Sequence, residues 1–427
     1  MRPTLTQLLL LALALPLCAA AGASAPRTFV STGGSDSNTG ANCAPTAPCR
    51  SFAAALSVTA SGGEVVVLDS GGYGPPGTIT QSVTITAPEG VYAGISVPAM
   101  STAGVIVDGV SILVTLRGLT FESQGGADAI RINNSSGLNN NVSALVVERC
   151  FIHGFPESGI YVNSLQSGVS VYDSTIDATG TSSNGIDGIT LVSGGGGVGV
   201  YRSVITGASR AGIYAAVIQA PVEVTDSLLS GNATAIATTD AGKVTVSGSR
   251  IHGPSVTTGS GINLGGTIAT TAVNISGTVI SDYAAGVLVA PNATIKLAIK
   301  GSTFSSNGYG INTGSGSSFA AIDLDVSDSV IADSTIANVA LGASGSTLAT
   351  SAVFARSSLT GSPIGASLGG GSGSALAFSG CLIANNGTGL QTAITFGASQ
   401  GFLSLGNNIF VGNGTDVSGT LTRSMPR

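Results

Sequence analysis

From residue 116 to residue 411 the apolar positions alternate with polar ones in short runs instead of recurring at helical spacing. Each unit is a β-branched run, a tight polar turn, a second apolar run, and then Gly-Ile or an equivalent, as in VYDSTIDATGTSSNGIDGITL and IKGSTFSSNGYGINT. Alternation at period two predicts half-buried strands. The apolar residue two after the turn marks each unit, at Phe121, Ile152, Ile176, Ile205, Leu229, Ile251, Ile280, Phe304, Ile331, Leu359, Ile383 and Phe410. Successive markers are 22 to 31 residues apart. A period of that size built from strands alone predicts an all-β solenoid, in which each coil buries its apolar face only by stacking on its neighbours.

Aligning the units turns the sequence into columns. The first turn position reads Gly118, Arg149, Asp173, Arg202, Asp226, Gly248, Gly277, Gly301, Asp328, Arg356, Gly380 and Asn407. Gly, Asp and Asn dominate it, and these tolerate a left-handed backbone. The next column, from Cys150 and Ser174 to Cys381 and Asn408, is small and polar. It is expected to face inward, with its hydroxyls bonding along the stack or to backbone. Arg149, Asp173, Arg202 and Asp226 alternate in sign, and Arg117 precedes Glu148 one column earlier. Each should face its opposite at one strand spacing, about 4.8 Å. We read these six residues as a structural charge ladder that sets coil register; a catalytic cluster is the alternative. Tyr172 and Tyr201 are expected to stack.

Composition narrows the function. Hydrophobic residues make up 43% of the chain but charged ones only 8%, with 63 Gly and no Trp. Small and β-branched side chains suit thin stacked coils. A net charge of −6 argues against nucleic acid, which calls for a basic stripe, and against an anionic membrane surface. Residues 1–25 pattern as a signal peptide: Arg2, an apolar run Leu8–Leu17 too short to span a bilayer, then small residues Ala19–Ala25. Cys18 follows Leu17, where a lipidation signal wants a small residue, so export without a lipid anchor is expected. No later run suits membrane insertion. The organisation expected is an N-terminal cap over 26–63, a solenoid over 64–419 and a frayed tail over 420–427, as a monomer.

Cys43 and Cys49 stand six apart in a Pro-rich loop. In an oxidising compartment they read as a disulfide, free surface thiols being the alternative. Cys150 and Cys381 lie about 40 Å apart at one strand spacing per coil, far beyond bonding reach, and read as buried packing residues. The segment TFVSTGGSDSNTGANCAPTAPCRSFAAAL, followed by GGEVVVLDSGGYG and TITQSVTITAPEGV, resembles the opening cap and first coils of bacterial right-handed parallel β-helix proteins of the pectin-lyase-like superfamily. The resemblance covers roughly residues 28–417 and is at fold level. It implies a single-stranded right-handed parallel β-helix of about 14 coils, the handedness coming from the resemblance and the coil number from the repeat. Phe52, Ala53, Leu56 and Val58 are expected to form a short helix plugging the open N-terminal end, where bare strand edges need cover.

Lyases and hydrolases of that superfamily work in a groove beside one sheet. The matching candidates here are His153, Glu157, Asp177, Asp187 and Arg210 for catalysis, with Tyr161 and Tyr214 for ligand binding. Tyr161 and Tyr214 follow the Gly-Ile position two coils apart, so both point outward from one sheet. Two carboxylates flanking a sugar supply an acid and a base; an Asp pair with Ca2+ and an Arg supports β-elimination. Yet the Asn-Thr-Asp, Asp-Asp, Gly-His-Gly and Arg-Ile-Lys signatures of polygalacturonases are missing, as is that of pectate lyases. Aromatic residues at 5% make a poor sugar platform. No metal-ligand spacing occurs and no cofactor is implied unless the protein is a lyase. The expectation is therefore a non-catalytic exported solenoid that binds an extracellular polysaccharide or a surface partner. A uronate-directed lyase or hydrolase is the alternative, and a ligand-free spacer a third.

Overall fold

The computed structural model describes residues 24–423 except 134–142, 165, 181–184, 194–195, 217–218, 240–241, 266–269, 290–293, 314–321, 343–349, 370–373 and 393–400. Residues 1–23 of the predicted leader, residues 424–427 and parts of the glycine-rich loops lie outside the described residues. Each coil runs through three strands that belong to three parallel sheets. Among the described residues, sheet A has 16 strands, from Ala25–Val30 to Leu421–Arg423. Sheets B and C have 14 each, starting at Gly71–Gly72 and Gly77–Ile79. The coil marked by Ile152 is representative. Ala144–Glu148 lies in sheet A, Phe151–His153 in sheet B and Ser158–Asn163 in sheet C.

Alternation along each strand sends Val, Ile and Leu inward, so a column of apolar side chains runs the length of the body. Burying each such side chain stabilises by roughly 1.5–3 kcal/mol before conformational entropy is set against it. Toward the C-terminal end aromatic rings join the stack, with Phe354 and Phe378 centroids 5.1 Å apart. Among the described residues no helix is long and apolar enough to cross a membrane.

The corner between sheets A and B follows the column reading, with a refinement. Arg149, Asp173, Arg202, Asp226, Asp328 and Arg356 take positive φ of 46° to 52°, and five glycines share the position. Asn407 does not; it accepts a hydrogen bond from Gly380 N instead. The inward column is a relay. The Cys150 N–H donates to Ser174 Oγ, Ser174 N–H to Ser203 Oγ, and Ser203 N–H to Ser227 Oγ, at 3.0 to 3.1 Å. Each hydroxyl in turn donates to a carbonyl two residues back, as Ser174 does to Tyr172 at 2.7 Å. Backbone N–H groups that face the next coil at a corner are thereby satisfied without water.

The charge ladder is not continuous. Arg202 makes a bidentate pair with Asp173 at 2.8 Å, and Arg117 pairs with Glu148 at 2.9 Å. Arg149 reaches back to Glu148 at 3.7 Å, and Asp226 takes part in no ion pair among the described residues. Each Arg closes on a single carboxylate, with Glu148 shared by two of them, so short groups form and not a continuous chain. A further pair, Asp328 with Arg356, repeats the pattern. Tyr172 and Tyr201 stack with centroids 4.8 Å apart.

At the N-terminus the helix Phe52–Ser57 starts at Ser51, whose hydroxyl accepts from Ala54 N. Phe52 and Ala55 are its buried residues, and Leu56 and Val58 pack partly on the core. Ala53 is exposed, because at about 100° per residue it falls on the face opposite Ala55. Asp36 braces the cap by accepting from Arg50 N, Ser51 N and Ser51 Oγ. Cys43 and Cys49 are joined by a disulfide. Cys150 and Cys381 are buried and free, and burial pushes the Cys150 thiol up to about 12. Sheet pairing starts in the cap, where Ala25–Val30 pairs with Thr59–Val67. It continues past residue 419, where Leu421–Arg423 pairs with Gly401–Ser404. The expected frayed tail is thus at least partly a strand.

Candidate functional site

Five of the seven residues picked out in the sequence fall on two sheets, and Glu157 and Arg210 stand in turns just before sheet-C strands. His153 and Asp177 occupy neighbouring register positions on sheet B, with His153 Nδ1 3.0 Å from Asp177 Oδ2. Phe151 lies alongside, its ring 5.9 Å from that of His153. Burial works to raise Asp177, but hydrogen bonds from Thr179 and from His153 outweigh it and leave the carboxyl below its ordinary value. His252 forms a similar contact with Asp282 at 2.9 Å. The turn around buried Phe155 separates the sheet-B pair from sheet C.

Tyr161, Asp187 and Tyr214 do belong together on sheet C, and Glu157 and Arg210 join them from the turns immediately before the strands Ser158–Asn163 and Ala211–Ala215. Tyr161, Thr190 and Tyr214 are in register on three successive coils, which places the two tyrosines about 10 Å apart. Ser158, Asp187 and Ala211 form the parallel row three residues earlier. Close stacking of the coils requires the glycine that follows each of them: a Cβ on Gly188 would come within 2.5 Å of Gly212 O.

Asp187 has no exposed surface, yet it is well satisfied. It accepts from Arg210 Nε and Nη2, from Ala211 N at 3.0 Å and from Thr190 Oγ1 at 2.6 Å. Four donors thus fix the carboxylate group in place. The pair raises Arg210 above its ordinary value, chiefly through the hydrogen bond to Asp187. The Arg210 guanidinium covers the Tyr214 ring at 4.3 Å. Gly185, at φ +84°, makes room for it, since a Cβ there would meet Arg210 Cβ at 2.8 Å.

Two residues that the repeat alignment did not single out complete the face. Asp128 occupies the register position of Ser158 and Asp187, and Arg131 that of Tyr161. Arg131 Nε donates to Asp128 Oδ2 at 2.8 Å, and its guanidinium covers the Tyr161 ring at 4.2 Å. Glu157 lies 3.8 Å from the same guanidinium and is largely exposed. The signal was present but disguised: this coil reads Asp-Ala-Ile where the next two read Ser-Gly-Ile and Asp-Gly-Ile. Arg131 also departs from the Tyr and Thr found later in its column.

Sheet C therefore carries two guanidinium–tyrosine stacks, each anchored on a fully buried Asp, with Thr190 between them. Asn163 and Ser193 lie beside them, bonded at 2.7 Å. Shallow hollows occur elsewhere, at the cap around Leu56 and Gln81, at the far end around Asn408 and Arg423, and on sheet A around Lys296 and Asp325. Among the described residues no three His, Cys, Asp or Glu side chains gather to hold a metal ion. Chemically the face offers hydrogen-bond donors and ring edges. It does not offer two free carboxylates: Asp187 is buried and engaged, and Asp177 is on another sheet.

The family model described as the right-handed β-helix region matches residues 96–251 and 182–326, together more than half of the chain. The chain belongs to the right-handed β-helix family. That settles the handedness the sheets share. No curated protein matches the sequence. Among solved structures, this β-helix is similar to pectate lyase Pel9A at 15% identity, over 69% of this chain and 77% of that one, with a TM-score of 0.43. It is similar to tailspike protein 3 of bacteriophage CBA120 at 12% identity, over 90% and 61%, with a TM-score of 0.47. A mannuronic acid-specific polysaccharide family 6 lyase from human gut microbiota matches at 12% identity, over 87% and 88%, with a TM-score of 0.32.

Proposed function

We propose that this protein is an exported, non-catalytic β-helix whose sheet-C face binds an extracellular glycan. The observation that carries the reading is the register of Arg131, Tyr161, Thr190 and Tyr214, with Arg210 stacked on the last of them. A rigid sheet holds these side chains at fixed spacing, which lowers the entropy of binding an extended chain. Planar guanidiniums and phenols donate to sugar hydroxyls, and the ring edges offer apolar contact. Three carboxylates and two guanidiniums leave the cluster one negative charge in excess when all are ionised. That balance favours a neutral glycan at neutral pH. Export is supported by the leader pattern over residues 1–25.

The engagement of Asp187 argues against the lyase or hydrolase alternative, because a base or a cation ligand needs a free lone pair. A glycan array with the full chain tests the proposal: wild type should give a specific signal that Tyr161→Ala plus Tyr214→Ala removes. No signal above background from wild type defeats it and leaves the spacer. Release of unsaturated or reducing ends from a polysaccharide panel, abolished by Asp177→Ala plus Asp187→Ala, favours the enzyme instead.

A further inference from the structure

The two guanidinium–tyrosine stacks look alike but are wired differently. Asp187 has donors on both oxygens, including a backbone N–H and a hydroxyl. Asp128 is equally buried, yet only Oδ2 is used; Oδ1 is buried with no hydrogen-bond partner. The difference follows from two positions. Three residues after the carboxylate, Asp187 finds the Thr190 hydroxyl, whereas Asp128 finds Arg131 itself. On the next coil, Asp187 meets Arg210 where Asp128 meets Glu157, a residue of the same sign as itself.

Resting on the glycan-binding reading, we propose that Arg131 is a gated specificity residue: ionised Asp128 holds it, and a proton taken up on Oδ1 frees it to contact an acidic sugar. The proton comes from solvent and breaks no existing bond, since Oδ1 has none. Burial is the main cause that lifts the Asp128 carboxyl to about 6, opposed by Arg131 and by the backbone N–H of Ser158 and reinforced by Glu157. The groups facing Asp128 are Arg131 on its own strand and Glu157 on the next coil, with Tyr161 beneath the guanidinium. The preceding strand, Ala103–Val107, brings no charge. Arg210, bound to an Asp187 whose two oxygens are both engaged, serves as the built-in reference. When Asp128 is neutral, the cluster loses its excess negative charge and an acidic ligand is no longer repelled.

The test compares binding of tetragalacturonate and of a neutral galactotetraose to the full chain at pH 7.5 and pH 5.0. The acidic oligosaccharide stays ionised over this range. Its affinity should rise about five- to tenfold at pH 5.0, the effect of one unit charge a few ångströms away in screened surroundings. The neutral one should not change. Asp128→Asn should bind the acidic probe with the higher affinity at both pH values, and Arg131→Gln should lose the gain. Glu157→Gln, an exposed change that spares the core, should raise the affinity at pH 7.5 by a similar factor and keep the pH response. By reciprocity, saturation with the acidic probe should move the Asp128 titration midpoint, read by carboxyl NMR, upward by 0.7 to 1 pH unit, roughly the same coupling. A rise that persists in Asp128→Asn overturns the gate, as does unchanged wild-type affinity for the acidic probe alongside binding of the neutral one. Failure of both probes at both pH values overturns the glycan reading, and the gate with it.

Discussion

Replacing Asp187 with alanine asks whether this carboxylate is an anchor or a working group. The substitution leaves Ala211 N, which is buried at 1% exposure, without its acceptor. An orphaned buried N–H costs about 1–3 kcal/mol. Arg210 loses a bidentate partner, but its side chain is 45% exposed and turns to water, so the charge-assisted bonds count for about 1 kcal/mol. Thr190 keeps the Ser158 hydroxyl at 2.9 Å and adds little. Together the loss is roughly 3 kcal/mol. Asp187→Asn retains an acceptor for Ala211 N but loses the charge and sets an NH2 donor where Oδ2 accepts from Thr190 and Arg210, so it should cost about 1–2 kcal/mol. Urea unfolding followed by circular dichroism at pH 7.5 measures both. An alanine variant within about 0.5 kcal/mol of wild type would refute the anchor argument and return Asp187 to the candidates for chemistry.

Three further outcomes follow from the same geometry. In Asp128→Asn, stability should lose a pH dependence. The folded carboxyl titrates near 6 against 3.8 for its ordinary value, so the folded state keeps a proton that the unfolded chain has lost. Wild-type stability is then fully present below about pH 4 and falls as pH rises through 6, by roughly 3 kcal/mol relative to the variant; equal gaps at pH 4 and pH 7 contradict this. Ser227→Ala removes the acceptor of Ser203 N and should cost about 1–3 kcal/mol in the same unfolding assay, whereas an unchanged midpoint would mean that the relay carries no stability. Gly185→Ala forces a Cβ into positive φ and against Arg210, and should cost about 1–2 kcal/mol. It should also weaken glycan binding, if the Tyr214 stack matters.

The solenoid was legible because its cause is local and repeated. Alternating apolar residues make strands, and left-handed corners need Gly, Asp or a tolerated Arg. One small polar column closes the corner hydrogen bonds. Each of these rules is written a dozen times in the chain, so an error in one coil is corrected by its neighbours. The inward relay from Cys150 through Ser227 and the Tyr172–Tyr201 stack were readable for that reason. Ladder pairing was not: column order says which charges are neighbours, while only the folded side chains decide that Arg149 turns to Glu148 and Arg202 to Asp173.

The face on sheet C marks the boundary between the two kinds of knowledge. Sequence by itself determined the family's architecture and the outward placement of Tyr161 and Tyr214, because period and register are one-dimensional properties. Only the tertiary structure decided that His153 and Asp177 stand on a different sheet, that Asp187 is spent on four donors, and that Asp128 and Arg131 complete the site. Those outcomes depend on burial, on hydrogen-bond partners from the next coil, and on which guanidinium covers which ring. None of these is set by a residue's own column. The physical reason is that stacking fixes where a side chain begins, whereas the groups around its far end fix its charge and what it can do.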